Sequence, residues 1–201
     1  MNKLALVVLL AAAPALAGAP AFAGTPPQPD EAKDPSRPLR GVFAALGGGG
    51  GLLVSGVSAG FALDGEARLG YSFTPRLQIY LSGAYDSESG DTNAQHALQL
   101  SVDVQYHFSL SNPVDAYVRG GFGLGSGQTE HVNGGRFSGS GPAGNAGIGL
   151  EFRVSPVLHL GPELFYRHAW LSGEISFSHE QPVSQTFNYD VFGLQLDLIY
   201  Y

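Results

Sequence analysis

Three residues near position 170 have the side-chain types that ester hydrolysis needs. His168, Trp170, Ser172 and Glu174 lie at every second position, so in an extended strand all four side chains project from the same face. A histidine that is oriented by a carboxylate can take the proton of a serine hydroxyl and make it a nucleophile. Ser172 lies four positions after His168. We interpret the three residues as a polar belt at the end of a strand, and we predict no catalytic residue and no enzymatic activity.

Charged residues of both signs recur on the polar faces of alternating segments. Arginine suits confined sites because its planar guanidinium makes two parallel hydrogen bonds with a carboxylate. Charges in a narrow interior are costly unless they are paired. We therefore predict a structural ion-pair network, with a narrow gated ion path as the alternative. The set comprises Asp64, Glu66, Asp103, Asp115, Glu151, Glu163, Asp197, Arg68, Arg119, Arg153 and Arg167.

Two glycine clusters, at 47–51 and 120–127, resemble phosphate-binding loops in composition only. Neither precedes a helical pattern, which a phosphate loop requires. Glycine in a strand instead permits bending and close packing beside bulky rings. His131 and His179 lie in predicted loops without a ligand cluster around them. The sequence thus predicts no cofactor and no metal site.

The composition favours an all-β protein with an unusual surface. The chain has 201 residues, of which 29 are glycine and 9 are tyrosine, and only 13% are charged. An ordinary soluble domain has roughly 25% charged residues. The formal net charge of −7 argues against a nucleic-acid partner, which would be expected to meet clustered lysine and arginine. Something other than water must cover much of this surface.

The first 38 residues are expected to lie outside the folded domain. Lys3, the short apolar run 4–13 and the small-x-small pattern at 21–23 predict a signal peptide over residues 1–23. Residues 24–38 are polar and rich in proline, which predicts a solvated periplasmic leader. The chain has no cysteine, so neither a lipid on an N-terminal cysteine nor a disulfide is expected. The predicted domains are therefore the signal peptide, the leader and a barrel over residues 39–201.

A repeated proline motif predicts the number of strands. Prolines at 38, 75, 113 and 156 each introduce an apolar alternation, and each is expected to lie in a tight turn or at a strand entry. Four such units give four hairpins and eight strands. Long loops are predicted at 87–95, 128–143 and 173–187, and a short one near 50–56. The predicted strands are 39–50, 57–73, 76–86, 96–108, about 114–126, about 145–154, about 157–171 and 191–201.

Alternation alone fits either a membrane barrel or a soluble lipocalin-like barrel, because only the direction of the apolar face differs. No lysine follows Lys33, although a face exposed to water usually carries lysine. Aromatic residues cluster near both ends of the strands, as in the two aromatic belts of a membrane barrel. We therefore predict an eight-stranded antiparallel up-and-down transmembrane β-barrel. The aromatic residues are Tyr71, Phe73, Tyr106, Phe108 and Tyr200 near the short turns, and Tyr85, Tyr166 and Trp170 near the long loops.

The pattern over residues 39–201 resembles the small eight-stranded outer-membrane barrels of the OmpA and OmpX type. The resemblance implies a Gram-negative outer membrane, both termini in the periplasm, and insertion by the barrel-assembly machinery, which is thought to recognise the last strand. The apolar face of 191–201 is in phase with Tyr200 and not with Tyr201. Recognition through Tyr200 is therefore expected. The placement of His168 is also similar to that in lipid A deacylase barrels, but there the histidine and serine are two residues apart.

The interior of an eight-stranded barrel is nearly filled by side chains, so an open pore is not expected. Function is assigned to a structural or surface-interaction role through the long loops, because recognition commonly resides on loops held by a rigid scaffold. The expected partners are outer-membrane lipid and lipopolysaccharide, and the protein is expected to be a monomer. The alternatives are a narrow ion or solute channel, a lipid A-modifying esterase and a soluble periplasmic binder.

Overall fold

The computed structural model describes residues 41–55, 59–89, 93–111, 114–131, 135–176 and 183–201. Within these ranges no helix is long and apolar enough to cross a membrane. Consecutive strands pair antiparallel, and the last strand also pairs with the first, so the sheet closes into a barrel. The predicted eight-stranded up-and-down fold is confirmed. The strands are β1 (Gly41–Ser55), β2 (Ala59–Thr74), β3 (Leu77–Ser89), β4 (Asn93–Ser111), β5 (Val114–His131), β6 (Arg136–Arg153), β7 (Leu158–Ser176) and β8 (Val183–Tyr200).

Closure of the barrel depends on β1, which pairs with β2 on one side and with β8 on the other. Gly48, for example, lies opposite both Gly65 and Leu196. The glycine run at 47–51 therefore lies within a strand and does not form a phosphate loop. Pairing on both sides leaves no strand edge with unpaired N–H and C=O groups, and apolar surroundings require this of any sheet.

Two of the predicted proline turns lie in described residues, and both are short. At the first, the Thr74 hydroxyl oxygen accepts hydrogen bonds from the backbone N–H groups of Arg76 (3.2 Å) and Leu77 (3.0 Å). At the second, the Ser155 hydroxyl oxygen accepts from the backbone N–H of Leu158 (3.1 Å). A hydroxyl that bonds the backbone two or three residues later stabilises a tight turn. Pro38, Pro113 and the predicted signal peptide and leader lie outside the described residues.

The strands are longer than predicted at the end of the barrel opposite these turns. The predicted loop 128–143 is largely strand, because β5 continues to His131 and β6 begins at Arg136. The predicted loop 173–187 is likewise shortened, because β7 ends at Ser176 and β8 begins at Val183. These stretches are rich in glycine and serine and lack apolar alternation, yet backbone pairing does not depend on side-chain hydrophobicity. The predicted loop 87–95 is shortened as well, because β3 ends at Ser89 and β4 begins at Asn93. The predicted lengths of all three long loops were therefore wrong.

The polarity of the barrel wall is as predicted. Leu100 and Leu196 are 58% and 52% exposed on the outside, whereas Asp103 and Arg119 are 0% and 5% exposed in the interior. Apolar side chains thus point away from the barrel axis and ionic ones point towards it. The soluble binder, which needs the opposite arrangement, is excluded by this polarity.

One part of the interior does not follow the prediction. The end of the barrel opposite the proline turns, where the long loops were predicted, is called the long-loop end. Towards this end, Leu53, Phe165, Leu171 and Val191 point inward and are buried in one apolar cluster. Glycine makes room for it, since a Cβ on Gly127 would lie only 2.6 Å from Leu171 Cδ1. The interior is therefore ionic in the middle and apolar near the long loops, and this division is not apparent from alternation alone.

Candidate functional site

Three arginines and one glutamate form the centre of the barrel interior. Glu66 on β2 is 4% exposed and accepts hydrogen bonds from Arg68 Nε (3.0 Å), Arg119 Nη2 (2.9 Å) and Arg167 Nη2 (2.8 Å). The arginines belong to β2, β5 and β7, so side chains from strands that are not neighbours meet at one carboxylate. We call these four residues the Glu66 cluster.

Two further carboxylates extend the Glu66 cluster across the barrel. Glu163 on β7 accepts from Arg119 Nε (2.7 Å), Arg68 Nη2 (3.0 Å) and the hydroxyl of Tyr117 (2.7 Å). Asp197 on β8 accepts from Arg68 Nη1 (3.1 Å). The contacts therefore link β2, β5, β7 and β8 within one cross-section. Such paired and enclosed charges form the ion-pair network that was expected of these residues.

Three further acidic residues lie around the Glu66 cluster. Asp86 lies directly across the β2–β3 ladder from Asp64, and both accept from Arg167 Nη1, at 3.1 Å for Asp86. Asp103 accepts from the hydroxyls of Ser82 and Ser101 at 2.6 and 2.9 Å. Asp86 was not in the predicted set, although it shares the inward face of β3 with Ser82. Alternation along 76–86 places Asp86 on the polar face and is the signal that could have added it to the set.

A second polar group lies at the short-turn end of the interior. Glu151 is 3.1 Å from His159 Nδ1, and its other oxygen accepts from the amide of Gln105 at 2.9 Å. His107 Nε2 lies 3.8 Å from the same carboxylate. Arg153, the fourth predicted arginine, is only partly buried and pairs with Asp115 at 3.7 Å. The predicted set thus separates into a central cluster and this smaller group.

Tyr201 closes the short-turn end of the interior. Its hydroxyl donates to Glu151 Oε2 (3.2 Å) and accepts from the amide of Gln78 (2.8 Å). Its ring packs against Phe43 and His159, with centroids 5.7 and 4.8 Å apart. Tyr200, in contrast, points outward and is 56% exposed. The prediction that Tyr200, and not Tyr201, shares the apolar face of the last strand is therefore confirmed.

The residues considered for ester hydrolysis lie on the outer surface but do not form a triad. His168 Nδ1 is 2.7 Å from Asp190 Oδ1 on β8, and the Tyr166 hydroxyl donates to the same oxygen at 2.6 Å. Ser172 lies further up β7, opposite Ser140 and Thr186. Among the described contacts none joins His168 to Ser172 or Glu174. Asp190 was missed because the β7–β8 register, and not the spacing along the chain, places it beside His168.

The predicted loop histidines add no further chemistry. His179 lies outside the described residues, and for His131 only the backbone, at the end of β5, is described. In the part of the chain that the structure describes, no group of three or more His, Cys, Asp or Glu residues is arranged to hold a metal ion.

Comparison with known proteins agrees with this architecture. The family model described as the outer membrane protein beta-barrel domain matches residues 4–199. The chain belongs to this family. The protein is therefore an outer membrane β-barrel, and the outer membrane is its location. A comparison with curated protein sequences finds no significant match.

Solved structures similar to this outer membrane barrel share its fold at low sequence identity. Neisserial surface protein A has a TM-score of 0.59 at 10% identity, covering 78% of this chain and 96% of that one. OprG of Pseudomonas aeruginosa has a TM-score of 0.53 at 12% identity, covering 83% and 99%. Ail of Yersinia pestis, in complex with the heparin analogue sucrose octasulfate, has a TM-score of 0.50 at 15% identity, covering 81% and 100%.

The outside of the outer membrane barrel has an apolar band and, above part of it, a polar wall. The band consists of the exposed apolar side chains between the two aromatic belts and is the surface that lipid covers. Beyond Trp170 the outward residues of β5–β8 become polar. We call this surface the polar extension. It comprises Gln128, Glu130, Arg136, Ser138, Ser140, Ser172, Glu174, Ser184, Thr186 and Asn188, all of them exposed.

Proposed function

We propose that the protein is a closed, monomeric outer membrane barrel with a structural or surface-interaction role. The observation that carries this proposal is the Glu66 cluster, which fills the middle of the interior. Glu66, Arg119 and Arg167 are each at most 5% exposed, and their charges are paired with one another. An eight-stranded barrel has little interior space beyond what its side chains fill. A solute of any size would have to break several ion pairs to pass.

The polar extension is the surface that we assign to recognition. From Trp170 to the end of β7 at Ser176 the wall rises roughly 15 Å along the barrel axis. On the opposite side, exposed Leu52 and Phe61 lie close to the strand ends, so the apolar band there reaches almost to the rim. We propose that the long-loop end faces the cell exterior, where this one-sided wall would meet lipopolysaccharide or an extracellular partner.

Planar bilayer recordings test whether the barrel is closed. We expect no steady single-channel conductance from the purified protein in 1 M KCl. The alternative is a narrow cation path, which is favoured by an excess of acidic side chains: among the residues that the structure describes, nine carboxylates but only three arginines are buried. Steady channels that select cations over anions would contradict the closed barrel and support this alternative.

A test of lipid chemistry separates the non-catalytic role from the esterase. Because His168 is directed to Asp190 and not to Ser172, we expect Ser172→Ala to leave lipid A unchanged. Mass spectra of lipid A from cells that express wild type, Ser172→Ala, His168→Ala or no barrel should show identical acylation. A deacylated species that disappears in either variant would overturn the non-catalytic role.

A further inference from the structure

An apolar cavity of about 80 Å³ lies inside the barrel at its long-loop end. Four inward apolar side chains line it: Phe137 on β6, Leu171 and Ile175 on β7, and Phe187 on β8. Phe137 and Phe187 pack edge to face with centroids 4.4 Å apart. Gly127 on β5 also lines the cavity and has no side chain, and Leu171 packs against its backbone, where a Cβ would be only 2.6 Å from Leu171 Cδ1.

The cavity adjoins the buried apolar cluster. Leu53, Ala169 and Val191 belong to this cluster and are at most 4% exposed, and its members Phe137 and Leu171 line the cavity. One buried carboxylate, Glu88, lies opposite Gln95 across the β3–β4 pair but does not line the cavity. The inward polar side chains at the cavity are uncharged hydroxyls and amides, among them Gln95, Thr129 and Tyr189. No described aspartate, glutamate, lysine or arginine lines it. An apolar pocket with a few neutral polar groups is the usual form of a site for a small uncharged molecule.

The size and position of the cavity decide between two apolar occupants. An apolar cavity of about 150 Å³ binds one benzene molecule, so this smaller cavity holds only a few heavy atoms and not a lipid tail. The walls also separate it from lipid, because β5–β6 pairing runs from Val114–Phe152 up to Glu130–Arg136, and β7–β8 pairing runs up to Ile175–Val183. A short or branched alkyl group fits, and a membrane acyl chain does not.

We propose that this cavity binds a small uncharged amphiphile whose branched alkyl end packs on Leu171 and Ile175. Its hydroxyl or amide head would exchange hydrogen bonds with the neutral polar groups, of which Thr129 is one. The site goes beyond the surface role proposed above, because it lies inside the barrel and does not involve the polar extension. It also requires no conduction through the Glu66 cluster, since the ligand would enter and leave at one end.

Methyl NMR of the barrel in lipid nanodiscs tests the proposal, with 2-methylpropan-1-ol as the probe. We expect saturable shifts of the Leu171 and Ile175 methyl signals. Leu100 and Leu196, which face lipid, should shift only linearly as the alcohol partitions into the bilayer. Linear shifts at all four residues would overturn the proposal. Contacts between lipid methylene protons and Ile175 would overturn it as well, because the occupant would then be a lipid tail.

Three variants locate the site. Thr129→Leu places alkyl bulk in the cavity and should weaken the saturable response at least tenfold, whereas Ser126→Leu, exposed on the same strand, should not. Phe137→Ala enlarges the cavity and should add saturable binding of toluene, which wild type should lack. Should Thr129→Leu alter the barrel fold, the gain of toluene binding in Phe137→Ala remains a separate test. Unchanged responses in both variants would contradict the site.

Discussion

Replacing Glu66 with alanine is expected to lower the free energy of unfolding by about 3–5 kcal/mol, because removal of one partner leaves buried charges uncompensated. Glu66 accepts hydrogen bonds from Arg68, Arg119 and Arg167 and from the amide of Gln195. Its loss brings three guanidinium groups together without the carboxylate that lies between them. Other acidic residues of the interior contact fewer arginines, so the effect at Glu66 should be the largest of the set.

Urea unfolding in lipid vesicles measures this effect, and the heat-dependent shift in gel migration of the folded barrel gives a second readout. Glu130→Gln is the matched control, since its ion pair with Arg136 is 3.7 Å long and both side chains are more than half exposed. An exposed pair contributes between about 0 and 1 kcal/mol. Glu66→Gln keeps the shape and removes the charge, and it should lie between the two. Equal stability of Glu66→Ala and Glu130→Gln would contradict the role of the Glu66 cluster.

The barrel and its polarity could be predicted because period-two alternation records which side of a strand meets lipid. On β4, for example, Leu100, Val102 and Val104 are exposed, and Ser101 and Asp103 between them are buried. Because buried charges are costly unless they are paired, the charged residues on the inner face could also be predicted to form ion pairs. The identities of those partners could not be predicted. Arg119 and Glu66 are far apart in sequence, and only the curvature of the closed sheet brings them together.

Three features escaped the sequence analysis, each for a physical reason. The extended β5 and β6 were interpreted as a loop because glycine and serine show no alternation, although their backbones pair as well as any others. The apolar inner cluster was missed because its inward members adjoin outward apolar residues, as Leu171 adjoins Trp170, so alternation does not show which of the two points inward. Asp190 was missed because register, and not spacing, places it beside His168. In each case the information lies between strands and not along them.

The two tyrosines after Ile199 are expected to fail in different ways when they are replaced. Tyr200 points outward into the aromatic belt near the short turns, where it lies opposite Leu158 and Ala44. Tyr200→Ala should therefore reduce the amount of barrel inserted in the outer membrane. Tyr201 points inward, so Tyr201→Ala should leave insertion largely unchanged. It should lower the free energy of unfolding by about 2–4 kcal/mol, because ring packing and two hydrogen bonds are lost.

Insertion is measured as the amount of protein in outer-membrane fractions that shows the heat-dependent shift in gel migration. Stability is measured by urea unfolding of the purified variants. Tyr201→Phe separates the two contributions of that residue, since it keeps the ring against Phe43 and His159 and removes the hydrogen bonds to Glu151 and Gln78. It should cost about 1–3 kcal/mol. If Tyr201→Ala blocks insertion while Tyr200→Ala does not, the inward residue is the one recognised, and the outward aromatic belt does not direct assembly. A barrel that inserts without Tyr201 but unfolds more readily would instead show that one side chain both closes the interior and anchors the end of β8.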